Sequence, residues 1–283
     1  MTSNDATRPP CISPDWQRHT TGYSFACPPP PEASSDRALA SPNLWDRLLC
    51  VTLRAQTGDF SHAAALLPII EHGHSVHLRD CAIRVFAQSA PSTLVVHLAD
   101  VFAHPDPDAR IEAIAAAILT TDLRLCPLLT KHRSRTKGFE RELTMDALSA
   151  MLEPDADDVE VIDSPLGDAE FGQKVMGLLQ AVEAETGMTC GIYHGAKLDL
   201  SRIAAEIGEI LGETDPFSQT GGAIHERFSL IESMTGWPFA GCLDDECAPV
   251  PDQIAHTLNS LHQSKRLDAL QPGRRYFFGH ELP

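Results

Sequence analysis

The chain has few aromatic residues and no long apolar run, and both absences narrow its class. Aromatic residues make up 6% of its 283 residues. Alternating runs of β-branched or aromatic residues are scarce, and no Asn-Gly or Asp-Gly turn separates two such runs. No apolar run approaches the roughly 20 residues that span a bilayer, and the first residues lack the order of a signal peptide. We therefore expect an all-α protein that is cytoplasmic and does not bind a membrane.

The spacings that build metal, nucleotide or nucleophile sites are also missing. The eight cysteines are dispersed without a CxxC pair, which predicts reduced thiols in a chain without a secretion signal. The best metal candidate is His72, His74 and His77 with Asp80 and Cys81 nearby, which are suitable ligand types. These histidines fall in a turn and at the start of a helix, where they are more often polar caps. We predict no catalytic residue, no cofactor and no metal site.

Basic residues are scarcer than acidic ones, and the acidic excess is distributed unevenly along the chain. Against 39 Asp and Glu the chain has 22 Lys and Arg, a net charge of -17. Residues 153–170 carry eight acids and no base, and residues 171–283 carry a net -7. A basic cluster at 131–141 precedes the acidic segment and is able to fold back against it. An acidic protein repels phosphate, so we expect no nucleic acid and a basic protein partner.

Apolar residues recur at helical spacing from Asn43 onward. The predicted helices are 43–57, 61–72, 76–89, 92–103, 107–120, 122–133, 138–152, 171–185, 199–212, 223–234 and 251–263. Residues 1–42 hold eight of the 21 prolines, which predicts an extended arm. The predicted domains are this arm (1–42), helical repeats (43–152), an acidic linker (153–170) and a C-terminal helical-hairpin subdomain (171–283).

The first half contains an internal repeat of 31 residues. Laying 66–86 over 97–117 places Arg79 on Arg110, and a further 31 residues reach Arg141. The stretch 98–119, with a Pro-Asp turn and an early arginine, resembles a HEAT-type repeat, and the resemblance covers about 44–152. It implies stacked antiparallel helix pairs in a HEAT-like α-solenoid. It also implies that each repeated arginine pairs with an acidic turn residue, for which the candidates are Asp106, Asp108 and Asp80.

The second half repeats at a shift of 49 residues. Residues 182–188 lie over 231–237, and Gly187 and Gly236 occupy positions where a helix end needs a left-handed residue. Two helical hairpins with long loops are predicted. The chain then ends with Tyr276, Phe277 and Phe278, which either pack back onto the last helices or form an exposed patch.

The loop that follows Gly236, residues 237–251, contains both aromatic and acidic residues. Aromatic anchors within a charged rim are typical of a binding site for a basic partner. The alternative is a surface connection with its aromatics tucked beneath it. The predicted partner-binding residues are Trp237, Phe239, Asp244, Asp245 and Glu246 of the loop and Asp155, Asp157 and Asp158 of the linker.

Two functional classes follow from these features. The acidic, helical-repeat character and the Tyr-Phe-Phe-Gly-His ending resemble bacterial HEAT-repeat proteins found with toxin systems. That resemblance implies an immunity protein, a non-enzymatic inhibitor that neutralises a cognate toxin by direct binding. The alternative is a scaffold, adaptor or chaperone-like protein of a bacterial assembly.

The lack of residue spacings typical of metal or catalytic sites gives a first prediction. Protein purified without added metal is expected to contain no stoichiometric zinc by elemental analysis and to show no hydrolytic or redox activity. Zinc that is lost on His74→Ala or His77→Ala would contradict it.

Overall fold

The structure is a computed structural model that describes residues 8–12, 25–73, 75–154, 166–212, 220–244 and 248–283. These residues are mostly helical, in agreement with the predicted all-α class. The helices are α1 (Asp36–Leu39), α2 (Leu44–Gln56), α3 (Leu67–His72), α4 (Val76–Ser89), α5 (Ser92–Val95), α6 (Leu98–Val101), α7 (Pro107–Leu119), α8 (Cys126–Arg133), α9 (Phe139–Leu152), α10 (Asp168–Thr186), α11 (Leu200–Gly212), α12 (Thr220–Thr235) and α13 (Pro251–Gln263). Within the described part of the chain, no helix has the length and apolar character needed to cross a membrane.

In the ranges that the structure describes, four two-residue strands form two antiparallel hairpins. The strands are β1 (Ile192–Tyr193), β2 (Ala196–Lys197), β3 (Tyr276–Phe277) and β4 (His280–Glu281). Most helix boundaries agree closely with the spacing of apolar residues. The predicted helices 61–72 and 122–133 become α-helical only at 67 and 126, each after a short 3-10 helix, and the predicted helix 92–103 divides into α5 and α6. The hairpins were missed because their turns are His-Gly and Phe-Gly rather than Asn-Gly or Asp-Gly.

The chain divides into two compact units. The central unit contains 66–198, 272–275 and 283, and the terminal unit contains 1–65, 199–271 and 276–282. The boundaries predicted from composition, at 152 and 170, both fall within the central unit. There α10 packs against α8 and α9, so the helix that follows the acidic linker shares a core with the helices before it.

The central unit contains the 31-residue repeat. Its longer second helices, α4, α7 and α9, begin at 76, 107 and 139, and each packs against the next. Ile83 of α4 and Ile114 of α7, one repeat apart, are both fully buried. The repeat therefore places equivalent apolar residues in one core.

The repeated arginines tie each helix pair to the next. Arg79 donates a hydrogen bond to the carbonyl of Gly73 at 2.8 Å and forms an ion pair with Asp106, its predicted partner. Arg110 donates to the carbonyl of His104 at 2.9 Å, again six residues back.

The next two arginines use partners that the sequence analysis did not name. The Arg110 guanidinium donates to both carboxylate oxygens of Glu140, at 2.8 and 3.0 Å. This bidentate contact holds the pKa of Glu140 below its usual value. Arg141 pairs with Asp168 of α10 at 3.3 Å. The repeated arginines are therefore structural.

Helices α10 and α12 end in the same way, as the 49-residue repeat predicts. The hydroxyl of Thr186 donates to the Val182 carbonyl at 2.7 Å, and that of Thr235 donates to the Ile231 carbonyl at 2.6 Å. The following glycines, Gly187 and Gly236, have φ of 69° and 68°. Both predicted helix stops are confirmed.

Each hairpin turn covers the C-terminus of a helix. The turn residues His194 and Gly195 have φ of 49° and 63°, as a type I′ turn requires. Their N–H groups donate to the carbonyls of Ala150 and Met151 in the last turn of α9, at 2.9 and 3.2 Å. These bonds satisfy carbonyls that have no partner within the helix.

The C-terminal hairpin repeats this arrangement within the terminal unit. The N–H groups of Phe278 and Gly279 donate to the carbonyls of Ser233 and Met234, in the last turn of α12, both at 2.7 Å. Tyr276 is 7% exposed and Phe277 is fully buried. Of the two alternatives for the aromatic ending, packing back onto the protein is therefore the one observed for Tyr276 and Phe277.

Arg275, just before this hairpin, bonds to the free carbonyls at the C-terminus of α4 in the central unit. Its guanidinium donates to the carbonyls of Ala87 and Ala90 at 3.0 and 3.1 Å. Burial lowers the pKa of Arg275 to about 10, so the side chain remains charged at neutral pH. A cation at a helix C-terminus also interacts favourably with the helix dipole.

The tight fit of the first hairpin gives a second prediction. Both Gly195→Ala and Gly279→Ala place a side chain at positive φ, which costs about 1–2 kcal/mol. A Cβ at Gly195 would lie 2.6 Å from the carbonyl oxygen of Leu152, whereas one at Gly279 would meet no described atom within 4 Å. We expect Gly195→Ala to lose a further ~1–3 kcal/mol in urea unfolding. Equal losses of unfolding free energy in the two variants would show that Gly195 is not closely packed against the end of α9.

Candidate partner-binding surfaces

We call residues 237–250 the acidic loop. Hydrogen bonds join its two sides to each other. The N–H of Asp244 donates to the carbonyl of Ala248 at 2.9 Å, and the Asp244 carboxylate accepts from the N–H of Ala248 at 2.8 Å. The N–H of Val250 donates to the carbonyl of Cys242 at 2.9 Å. Asp244 is exposed, so this predicted residue presents its carboxylate at the surface from a fixed backbone.

Trp237 is partly buried beside a cation. The guanidinium carbon of Arg266 lies 5.4 Å from the centre of the indole ring, which is within the range of a cation–π contact. The same guanidinium donates to the carbonyl of Thr235 at 3.0 Å. A partner that uses Trp237 as an anchor would therefore meet Arg266 at the same place.

The structure corrects the role predicted for Phe239. Its side chain is 1% exposed and stacks on Phe228 of α12, with ring centres 4.5 Å apart. Here the alternative of aromatics tucked beneath the loop is the observed one. The ring belongs to the core of the terminal unit, and using it as a surface anchor would open that core. Asp245, Glu246, Asp155, Asp157 and Asp158 lie outside the described residues.

A groove in the central unit brings together residues that the sequence analysis did not connect. It lies between α3 and α6, the first helices of neighbouring pairs, and has a volume of about 620 Å³. Apolar residues form its floor, and histidine and acidic side chains form its rim. We call it the histidine groove; it is lined by Leu67, Ile70, Val101, Glu71, His72, His97, Asp100 and His104.

The rim of the histidine groove is polar and accessible. The side chains of Glu71 and Asp100 are 71% and 83% exposed. His97 Nδ1 lies 3.2 Å from a carboxylate oxygen of Asp100, and His72 Nε2 lies 3.6 Å from one of Glu71. An apolar floor with a few polar groups around it is the general form of a ligand or peptide groove.

The metal candidate of the sequence analysis gains no support from this geometry. His72 lines the histidine groove, His77 lies in the first turn of α4, and His74 is outside the described residues. Among the residues that the structure describes, no group of three or more His, Cys, Asp or Glu side chains is placed to hold a metal ion. Laying 66–86 over 97–117 already aligns α3 with α6, but the alignment does not show that His72, His97 and His104 line one groove.

Part of the basic cluster at 131–141 pairs with an acid of the predicted linker 153–170. Arg133 and Arg141 both pair with Asp168, at 2.8 and 3.3 Å. Arg133 is 2% exposed, and its guanidinium carbon lies 3.6 Å from the centre of the Phe171 ring. These contacts hold α10 against the end of α8 and the first turn of α9.

Glu232 is a buried carboxyl group that the sequence did not single out. It lies in the last turn of α12, is 3% exposed, and its Oε2 has no hydrogen-bond partner among the described residues. Burial raises the pKa of Glu232 well above its ordinary value of 4.5. Burial also raises the pKa of the Cys242 thiol, and the nearby Glu232 carboxylate adds to this effect. Glu232 thus lies close to the base of the acidic loop.

Comparison of the chain with protein-family models, curated proteins and solved structures finds no match.

Buried Glu232 gives a third prediction, on stability against pH. Because the folded state holds this proton more tightly than the unfolded state, the stability from Glu232 is complete below pH 4.5 and declines as pH rises through its folded pKa. Glu232→Gln should therefore resemble wild type near pH 4.5 and be more stable at pH 8. Each tenfold change in proton affinity is worth about 1.4 kcal/mol.

The measurement is urea unfolding of both proteins across this pH range. The control is Glu209→Gln, a change at an exposed glutamate of α11 in the same unit, which should leave the curve near that of wild type. A difference between Glu232→Gln and wild type that does not change with pH would contradict the assignment.

Proposed function

We propose that this protein acts by binding another protein, and that it is an inhibitor of a cognate basic toxin, that is, an immunity protein. The observation that carries the proposal is the uneven charge, a net -17 of which the larger share follows residue 152. A field of this sign accelerates capture of a basic partner by orders of magnitude, and speed matters for neutralising a toxin.

The architecture supports a binding role. We propose that α3–α9 form HEAT-type pairs, since the second helices recur every 31 or 32 residues and the repeated arginines bond forward to the next pair. Such a stack buries each helix pair against its neighbours and leaves grooves between them. The histidine groove is one of these, and its exposed carboxylates, Glu71 and Asp100, suit a basic segment.

A second candidate is the scaffold, adaptor or chaperone-like role. It is favoured by the apolar floor of the histidine groove, where Ile70 and Val101 contribute buried side chains. The two roles differ in outcome: an inhibitor abolishes the activity of its partner at equimolar concentration, whereas a scaffold binds without doing so.

The experiment is capture of partners by the full chain in its native host, followed by assay of the captured protein with and without this one. A basic captured protein whose activity is lost at a one-to-one ratio would support the proposal. A captured protein that is acidic, or that stays fully active when bound, would contradict it.

The fourth prediction separates the effects of the loop's charges and of Trp237 on the rates of partner binding. Neutralising Asp244, Asp245 and Glu246 to Asn, Asn and Gln should slow association with the captured partner and flatten its salt dependence, because exposed charges steer encounter. Trp237→Ala should instead speed dissociation, by the equivalent of about 2 kcal/mol if the indole is an anchor. Both rates are measured by surface plasmon resonance at several salt concentrations.

The matched control removes the same charge elsewhere on the terminal unit. Glu209→Gln, Asp252→Asn and Asp268→Asn together change three exposed acids outside the loop. If this triple variant slows association as much as the loop variant, the general field steers and the loop has no special part. Unchanged rates in both Trp237→Ala and the loop variant would remove the loop from the interface.

A further inference from the structure

A second groove in the central unit runs between α8 and α10. We call it the α8–α10 groove; its volume is about 680 Å³. Its walls are mixed. Pro127, Ala169, Gly172, Met176 and Gly177 are apolar or small, and the polar residues include Asp168, whose carboxylate pairs with Arg133 and Arg141. Met176 is 38% exposed although it is a large apolar side chain.

The two glycines of this groove are not required by packing. Glycine inside a helix costs about 1 kcal/mol relative to alanine. A Cβ at Gly177 would meet no described atom within 4 Å, and one at Gly172 would meet only Thr130, at the ordinary contact distance of 3.8 Å. Helix α10 therefore has two residues that disfavour helix along this groove, and no close contact with a described residue requires either of them to be glycine. Departures of this kind are expected at functional sites.

Basic side chains extend from the rim of the groove. Lys131 lines it, and Arg135 and Lys137 follow in the turn to α9; all three are exposed. None of them forms an ion pair with a described residue, whereas Arg133 and Arg141 of the same cluster both pair with Asp168. Three positive charges thus remain on this edge of a chain whose net charge is -17.

An exposed aromatic ring follows these cations in the chain. Phe139, the first residue of α9 and two residues beyond Lys137, is 64% exposed, more than any other large apolar side chain in the described structure. A large exposed ring next to a polar rim commonly marks a protein-binding site.

We propose that the α8–α10 groove, with Lys131, Arg135, Lys137 and Phe139, binds an acidic amphipathic segment of a partner protein. The segment's carboxylates complement the three cations, and its apolar residues enter the groove and contact Phe139. A phosphate polymer or an anionic membrane would also offer negative charge, but each extends beyond this edge and would meet the repulsive field of the remaining surface. The inference is independent of the inhibitor role proposed above.

The test uses the full chain and a fluorescein-labelled synthetic helix of about 18 residues, with Leu and Phe on one face and Glu on the other. Fluorescence anisotropy is expected to show saturable binding that weakens with salt. Lys131→Glu with Lys137→Glu should weaken it about tenfold or more. The matched control, Lys197→Glu with Lys265→Glu, reverses two exposed lysines outside the groove and should weaken it less than about twofold.

The groove itself is tested by two changes at Gly177. Gly177→Leu and Gly177→Ala should both raise the thermal midpoint, because each residue favours helix more than glycine. Only Gly177→Leu should prevent binding, since its side chain fills the groove. A more stable variant that no longer binds excludes misfolding as the cause.

Several results would overturn the proposal. These are no saturable binding of the acidic helix, equal binding of a version with Lys in place of Glu, and unchanged binding by Gly177→Leu. Binding only to vesicles of phosphatidylserine would replace the partner by a membrane. Self-association in light scattering that Lys131→Glu abolishes would replace it by a second copy of the chain.

Discussion

Helix ends set the main constraint on this fold. The last carbonyls of a helix have no partner within it, and burying them unpaired is costly. The protein covers α9 and α12 with the turns of two similar hairpins and covers α4 with the buried guanidinium of Arg275. Segments distant in sequence are thus required to complete these helix ends. The chain after residue 270 is in this sense part of the framework and not a tail.

The second feature is how charge is divided between framework and surface. Arginines of the repeat, and Arg133 at the end of α8, are bonded to carboxylates of the following helices, so they contribute little to the external field. What remains outside is an acidic excess and, at or near the α8–α10 groove, three cations that form no ion pair with a described residue. An acidic and a basic surface on one scaffold are consistent with two kinds of partner segment.

Much of the helix pattern was accessible from sequence because it depends on local physics. Apolar spacing located α4, α7 and α13 within a residue or so, and the Thr-Gly repeat located two helix stops. One signal was overlooked: α2 begins 32 residues before α4 and also carries an arginine at its fourth position, Arg47. Of the predicted partner-binding residues, Asp244 is exposed, Trp237 is partly buried and Phe239 is in the core.

The sequence by itself determined the helical class, the 31-residue register and the net charge, since each follows from composition or from spacing along the chain. Only the tertiary structure decided that Phe239 stacks inside while Phe139 faces outward, that Glu232 is buried, and that α3 and α6 or α8 and α10 enclose grooves. The physical reason is that exposure, desolvation and concavity arise between helices. Periodicity within one helix shows which face is apolar but not which neighbour covers it.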